Sequence, residues 1–541
     1  MVKCTNKRLA SLIPFTLTGF IIVAIIFITI VTIVGSISKQ ALLETIENPY
    51  ITYIIKSNLE QAFISSFLSV VLAIPIARAL HRRSKFFGRK LIINFINLSF
   101  ALPVIALILG IIVIHGKNGW LNSSMNFIFG VSFQHYLYGI FGVALAHVSF
   151  CLPLAVRAFL NCLESTSSQT WRLSSQLNLS SWNLFKIIEW PSIRQAFLSV
   201  FILIFLMCFV SFVIVLSLGG GPSVTTLEVS IYHAIKIDFN LSQAAVLSFI
   251  QFTICMLLML IAQKFNKQIF AYTSTSQRLS IRSDGNSVLA KLIDGLFLFI
   301  LSVISILPTI VVIKNGFNAK LIEILHSSRF FFCLKQSLLI SMLSSIIALV
   351  MSLSLISGAF YFHHHLLKPK LAEKIIFLSN IKMVIPMYVF ITGLFLTLQN
   401  FTVIIDHAFF ILAVINALAA LPFVVNILWS DSINFTKEEI NLCKQLNINY
   451  WNFIKVIYFP RIKRNLGYAL SFAMAISWGD IGAMAFFNSK DLNTLPHLLY
   501  AMLSSYRIEE AISVALIIML LSLFFFWIGD ELWSENQNAR T

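Results

Sequence analysis

Twelve stretches of this chain are apolar for long enough to cross a lipid bilayer, and that property dictates most of what it can fold into. They lie at about 12–34, 58–80, 91–115, 136–158, 196–217, 243–263, 292–313, 334–358, 375–398, 408–429, 466–487 and 511–529. In hydrocarbon a loop or an open strand leaves peptide groups unsatisfied, whereas about 20 helical residues span the bilayer with their backbone bonded internally. Continuous apolar runs of this length therefore read as helices. Of the 541 residues, 58% are apolar and only 11% charged, too few polar groups for a sizeable water-facing domain. The net charge of +17 would suit nucleic acid only if the basic residues shared a solvated face. Here they fall in the connections between apolar runs. The expected fold is an all-α integral membrane protein of about 12 transmembrane helices.

With the N-terminus inside, 29 of the 39 Lys and Arg residues fall on the inner side and 10 on the outer. That bias places both termini in the cytoplasm. The first apolar run follows Lys3, Lys7 and Arg8, exceeds a signal-peptide core in length, and is expected to remain as the first span. The seven cysteines are scattered without a Cys-x-x-Cys pair, so neither a disulfide framework nor a metal site is expected, and no cofactor.

The chain also repeats itself. Gln176 to Ile193 aligns without gaps with Gln445 to Ile462, nine of eighteen positions being identical, among them Trp182/Trp451, Asn183/Asn452, Lys186/Lys455 and Pro191/Pro460. The same register sets Leu152 and Pro153 against Leu421 and Pro422. A second match sets Leu59, Gln61, Ser66, Leu68, Ser69 and Ala73 against Leu334, Gln336, Ser341, Leu343, Ser344 and Ala348. This is a tandem duplication of a six-span unit. Six is even, so the halves are parallel repeats about an axis along the membrane normal, with a substrate path between them. The expected division is residues 1–271, a linker at 272–290, and residues 291–541.

The repeated segments, about 164–191 and about 433–460, are polar, lie on the inner side and hold no catalytic cluster. One half-site per half suits a partner that is itself two-fold. The segments resemble the cytoplasmic coupling motif of ATP-binding-cassette importer permeases, an E-A-A-x-x-x-G run followed by I-x-x-P. Arg172, Leu173 and Ser174, and Asn441, Leu442 and Cys443, stand at the E-A-A positions. Asn178 and Asn447 stand at the glycine, where Asn tolerates a left-handed turn. The loop residues Ser477 to Gly482, Thr494 to Tyr500, Ser505 to Arg507, Leu218 to Pro222 and Thr225 to Glu228 resemble those of the fused permease subunit of bacterial thiamine importers. The likeness covers essentially the whole chain.

The resemblance implies a non-catalytic transport subunit of type I importer fold, moving thiamine or its phosphates across the bacterial inner membrane. It also implies two copies of a separate ATPase below and a periplasmic thiamine-binding protein above. No G-x-x-x-x-G-K-[S/T] phosphate loop occurs in the chain. The residues implied for the ATPase contact are Trp171, Arg172, Leu173, Ser174, Gln176, Leu177 and Asn178, with Ile440, Asn441, Leu442, Cys443, Gln445, Leu446 and Asn447. Asp480, a carboxylate inside an apolar run, and Trp478 beside it are candidates for the translocation path, against the plainer reading of helix packing. Glu228 and Arg507, on expected outer loops, are candidates to face the binding protein. Ferric-iron permeases share this layout, and a ferric-iron or polyamine importer is the alternative within the class. A gradient-driven carrier of the major-facilitator kind is the alternative from another class, and it calls for acids in several spans.

Overall fold

The computed structural model describes residues 13–99, 102–130, 136–221, 224–265, 284–285, 287–398, 403–433, 435, 437–446, 448, 452–487 and 492–534. The chain is helical throughout these residues. The first half comprises α1 (Ile13–Gly35), α2 (Pro49–Arg82), α3 (Arg89–Leu98), α4 (Val104–His115), α5 (Ile140–Glu164), α6 (Ser168–Gln176), α7 (Trp190–Phe209), α8 (Val213–Leu218), α9 (Leu227–Lys236) and α10 (Leu241–Phe265). The second comprises α11 (Val288–Leu301) and α12 (Leu307–Gly316), joined by a π-turn, then α13 (Ser328–Phe360), α14 (Pro369–Val384), α15 (Met387–Leu398), α16 (Val403–Ile433), α17 (Lys437–Gln445), α18 (Phe459–Trp478), α19 (Gly482–Phe487), α20 (Leu495–Ser504) and α21 (Ile508–Ser534).

Several elements of the two series match in length. α4 and α15 each have 12 residues, α7 and α18 each 20, α8 and α19 each 6, α9 and α20 each 10. A π-turn precedes both α7 and α18. Ten helices among the described residues are long and apolar enough to cross a membrane. Large apolar side chains such as Phe20 and Phe27 stay exposed on their outer faces. In water that would be costly; against lipid tails it is neutral.

Four of the expected continuous spans are broken crossings. The run at 91–115 parts before Pro103 into α3 and α4. That at 375–398 parts at Ile385 and Pro386 into α14 and α15. In both a proline removes a helical N–H and biases its predecessor to extended backbone; Ile385 has φ −98° and ψ 111°. The runs at 196–217 and 466–487 part at Val210–Phe212 and Gly479–Ile481, separating α7 from α8 and α18 from α19. These breaks are equivalent, 269 residues apart in the repeat register.

The halves interlock through their first crossings. α1 packs against α13 and α15 of the second half, while α12 packs against α4 of the first. With no hydrophobic drive between helices in lipid, such contacts depend on close backbone approach over small residues. Gly110 and Gly393 sit at the seventh position of α4 and α15. A Cβ at Gly110 would come within 2.2 Å of the Pro308 carbonyl oxygen, and one at Gly393 within 2.7 Å of that of Thr29. Each glycine is the point where one half's first crossing rests on the other half.

We expect Gly110→Val and Gly393→Val each to cost about 1–3 kcal/mol through overpacking. Gly295→Val, where nothing lies within 4 Å of an added Cβ, should cost well under 1 kcal/mol. Thermal unfolding of the detergent-solubilised protein, followed by exposure of buried cysteines to a thiol-reactive dye, checks the ranking.

Candidate translocation cavity and docking segments

The four breaks converge on one cavity of about 230 Å3. Its wall takes Val104 and Ile105 from the start of α4, Val210 to Ile214 from the α7–α8 break, Met387 and Tyr388 from the start of α15, and Gly479 to Gly482 from the α18–α19 break. Side chains take over the bonds that the helices give up. Gln61 of α2 donates from Nε2 to the Cys208 carbonyl at 2.9 Å, and Thr226 donates from Oγ1 to the Ser211 carbonyl at 3.3 Å. The Ala483 N–H donates to Asp480 Oδ1 at 3.4 Å, so this acid caps α19.

Two carboxylates, Glu228 and Asp480, line the cavity. Glu228, 1% exposed, accepts a hydrogen bond from Gln251 Nε2 of α10 at 3.2 Å. Beside them four rings meet across the junction of the halves. Phe212 and Tyr388 have centroids 4.4 Å apart, Tyr232 and Phe486 lie 5.6 Å apart, and Tyr388 lies 5.4 Å from Phe486. Phe212 and Tyr388 also face the cavity.

The structure redistributes the candidates read from the sequence. Asp480 is in the cavity wall. Its neighbour Trp478 is not; it lies in a packed cluster, edge-on to Phe525, with its indole N–H donating to the Ile518 carbonyl at 3.2 Å. Glu228 does not sit on an exposed outer loop. After the apolar run ends near Leu218, the chain turns back and α9 is buried against α10 and α15, carrying Glu228 into the interior. Arg507 is exposed and pairs with Glu510. His147, Tyr388, Gln251 and Gln61 belong to the site and escaped notice in the sequence. Each is a polar residue inside an apolar run, and that was the available signal.

Away from the cavity, the first repeated segment begins at α6, whose N-cap Ser167 accepts from the Thr170 N–H. Trp171 is 2% exposed, its ring 4.9 Å from that of His81 at the end of α2. Ser174 is buried beside it. Arg172, Leu173, Gln176 and Leu177 face outward, Leu173 and Leu177 at 58% and 71% exposure. Asn178 follows with φ +45°, the left-handed conformation in which Asn replaces Gly most cheaply. In α17 the equivalent residues Asn441, Leu442, Gln445 and Leu446 are exposed and Cys443 is half-buried. Asn447 and Trp451 lie outside the described residues, as does the side chain of Ile440. Two exposed leucines one turn apart thus recur in both halves.

The two segments are seated by different chemistry. Glu189, in the π-turn before α7, pairs with Arg78 at 2.6 Å. Arg82 pairs with Asp284 at 3.1 Å and Asp294 at 3.0 Å, and Arg83 pairs with Asp294 at 2.9 Å. One buried network therefore joins the end of α2, the first segment, the inter-repeat stretch and the start of α11. In the second half Tyr458 takes the place of Glu189. It stacks on Phe435 at 5.9 Å, shares a 2.8 Å hydrogen bond with the Ser432 hydroxyl, and packs with Phe360 and Phe453. Arg461 covers the far face of Phe435 at 4.2 Å.

Arg78→Ala leaves the fully buried Glu189 carboxylate without its guanidinium and is expected to destabilise by about 3–5 kcal/mol. Tyr458→Phe, which removes one hydroxyl bond, is expected to cost about 1 kcal/mol. Hydrogen exchange measured by mass spectrometry should show faster opening around 168–190 in the first variant and little change there in the second.

Comparison with known proteins places this architecture. Residues 65–270 match the family model described as binding-protein-dependent transport system inner membrane component. The thiamine transport system permease protein ThiP of Escherichia coli is 33% identical over 491 residues, 91% of this chain and 90% of that protein. Its counterpart from Haemophilus influenzae is 35% identical over 480 residues, 88% of each chain. That from Brucella abortus strain 2308 is 34% identical over 494 residues, 91% of this chain and 89% of its own. A putative ferric transport system permease protein, FbpB 1 of Haemophilus influenzae, matches more narrowly, at 26% identity over 36% of this chain. No solved structure matches.

Proposed function

The chain belongs to the family of the thiamine transport system permeases, and from that membership we propose how it works as the membrane subunit of an ATP-binding-cassette thiamine importer. It is a multi-pass inner-membrane transport subunit. Thiamine passes between the two halves, through the cavity where four crossings break. Both termini lie in the cytoplasm, in keeping with the excess of Lys and Arg on that side. Residues 1–271 and 291–541 act as the two rocking halves, with 272–290 as the link between them.

Power comes from two copies of a separate cytoplasmic ATPase, one beneath each repeated segment. The observation that carries this reading is the pair of exposed leucines one turn apart, Leu173 and Leu177 in one half and Leu442 and Leu446 in the other. Arg172 and Gln176, with Asn441 and Gln445, flank them on the same exposed stripes. An apolar pair held out on a polar surface helix is a protein contact in wait. Trp171 and Ser174 serve from beneath, seating α6 on the end of α2. On the opposite side a periplasmic binding protein delivers the vitamin, and Arg507 is among the exposed groups there. Closure of the ATPase pair draws the two segments together and rocks one half against the other, a two-state switch of access.

Uptake of labelled thiamine at nanomolar concentration tests this. The host lacks its own importer and receives the chain with its ATPase and binding protein. Uptake should require all three components and persist when the proton gradient is collapsed with ATP maintained. Uptake by the chain alone, lost with the gradient, would place it among secondary carriers. Leu173→Glu and Leu442→Glu should each lower uptake at least about tenfold and release the ATPase from the purified complex.

A further inference from the structure

Beyond a route between two halves, the cavity has the makings of a binding site. It places Glu228 of the first half and Asp480 of the second in one wall, and its lining residues include neither lysine nor arginine. Tyr388 lines the same cavity as both carboxylates, so the three groups share one neighbourhood. A carboxylate at membrane depth is costly, and two in one cavity favour a positive charge there when ionised.

The rest of the wall adds the other half of the chemistry. Phe212 and Tyr388 present ring surface to the cavity, backed by Tyr232 and Phe486 at centroid distances of 5.3 and 5.4 Å. Clustered ring faces beside acids attract an organic cation more than a hydrated metal ion, because the π-face rewards a soft, weakly hydrated charge. Two buried polar atoms remain to be satisfied. Tyr388 Oη, on a side chain 4% exposed, has no hydrogen-bond partner among the described residues, and neither has His147 Nε2, on a side chain 2% exposed. His147 Nδ1 is already engaged by the Ser65 hydroxyl at 3.3 Å. Both residues line the cavity, and each holds a buried polar atom that a ligand's polar edge could satisfy.

The duplication makes the asymmetry informative. In the repeat register Asp480 stands where the first half has Ser211, and His147 where the second has Asn416. The break is inherited by both halves, but the acid and the imidazole are each present once. Symmetric scaffolding therefore surrounds a set of groups that the repeat does not duplicate, as an asymmetric molecule requires.

From this we infer that the permease itself binds its cargo, at a site for a flat aromatic cation built from Glu228, Asp480, Phe212, Tyr388 and His147. The inference rests on the reading as a thiamine permease, since thiamine carries a permanent charge on its thiazolium ring and a polar pyrimidine edge. The volume of about 230 Å3 lies just below the range of about 300–1,000 Å3 usual for small-molecule sites. A cation held here would be handed from the binding protein to the membrane subunit before release.

The test is equilibrium binding of labelled thiamine to the full chain with its ATPase in lipid nanodiscs, with no binding protein present. Competitors are N-methylquinolinium, a simple aromatic cation, and 2-methylquinoline, its uncharged analogue at mildly alkaline pH. Saturable binding is expected, displaced by the quinolinium and not by the neutral compound. Glu228→Gln with Asp480→Asn should weaken it at least about tenfold. Tyr388→Phe removes only the unpartnered hydroxyl, so it serves where the double variant fails to fold as judged by gel filtration, and it should weaken binding about three- to tenfold. Transport of thiamine by the complete importer without saturable binding here would overturn the site and leave the transport reading intact. Equal displacement by the neutral compound, or unchanged affinity in well-folded variants, would also overturn it. Saturable binding of the quinolinium by a chain that moves no thiamine would keep the cation site and overturn the substrate.

Discussion

Everything in this molecule follows from the requirement that a peptide group in hydrocarbon find its partner inside the protein. Unbroken helices meet it automatically, and most crossings here are unbroken. Where a crossing does break, the freed carbonyls and N–H groups need side chains or water, so a break is tolerable only in the interior. Four breaks in four separate helices therefore share a location. Gln61 on the Cys208 carbonyl, Thr226 on the Ser211 carbonyl and Asp480 on the Ala483 N–H are the replacements that make it possible. The cavity is the common solution to four backbone problems, and its polar character comes from the groups that solve them.

Duplication supplied the frame and divergence supplied the chemistry. The paired breaks, the paired π-turns and the paired glycines of α4 and α15 are the same device used twice. The interlocked first crossings turn two copies into one body, because each rests on the other half at Gly110 or Gly393. Around that symmetric frame the polar residues differ: Glu189 faces Arg78 in one half, whereas Tyr458 faces Phe435 in the other. An ion network and an aromatic cluster thus hold equivalent segments in equivalent places.

Much of the frame was legible in the sequence because it is written in long, repeated patterns. Twenty apolar residues, or nine identities in eighteen, carry their meaning locally. The breaks were harder to see, since both flanks are apolar and the hydropathy runs straight through them. Pro103, Pro386 and the Gly479–Asp480 pair were the only punctuation. Glu228 misled for a related reason: it follows an outer turn by ten residues and reads as a loop acid, yet α9 folds back inward and buries it. The ion network was illegible in principle. Arg78 and Glu189 are about a hundred positions apart and the Asp284 and Asp294 pair about a hundred further on, and nothing local to any of these groups names the others. Nor does the sequence say which face of α6 turns inward: Trp171 is buried against His81, whereas Leu173 and Leu177 beside it are exposed.

The long second crossings join the two regions that matter. In α2, Gln61 grips the cavity break and Arg78 grips the first docking segment; seventeen helical residues separate them, about 25 Å at 1.5 Å per residue. In α13, Ser337 accepts the Leu495 N–H at the head of α20, and Phe360, about 35 Å further on, packs into the aromatic seat of the second segment. Both helices are packed along their sides, and α2 carries Pro75 between its two contacts, where one helical hydrogen bond is missing and bending is easiest. Displacement of either repeated segment therefore reaches the interior along one continuous helix, at Gln61 in α2 and at Ser337 in α13. The interior breaks and the repeated segments are thus joined by one pair of helices, Gln61 and Arg78 lying at two points of α2 and Ser337 and Phe360 at two points of α13.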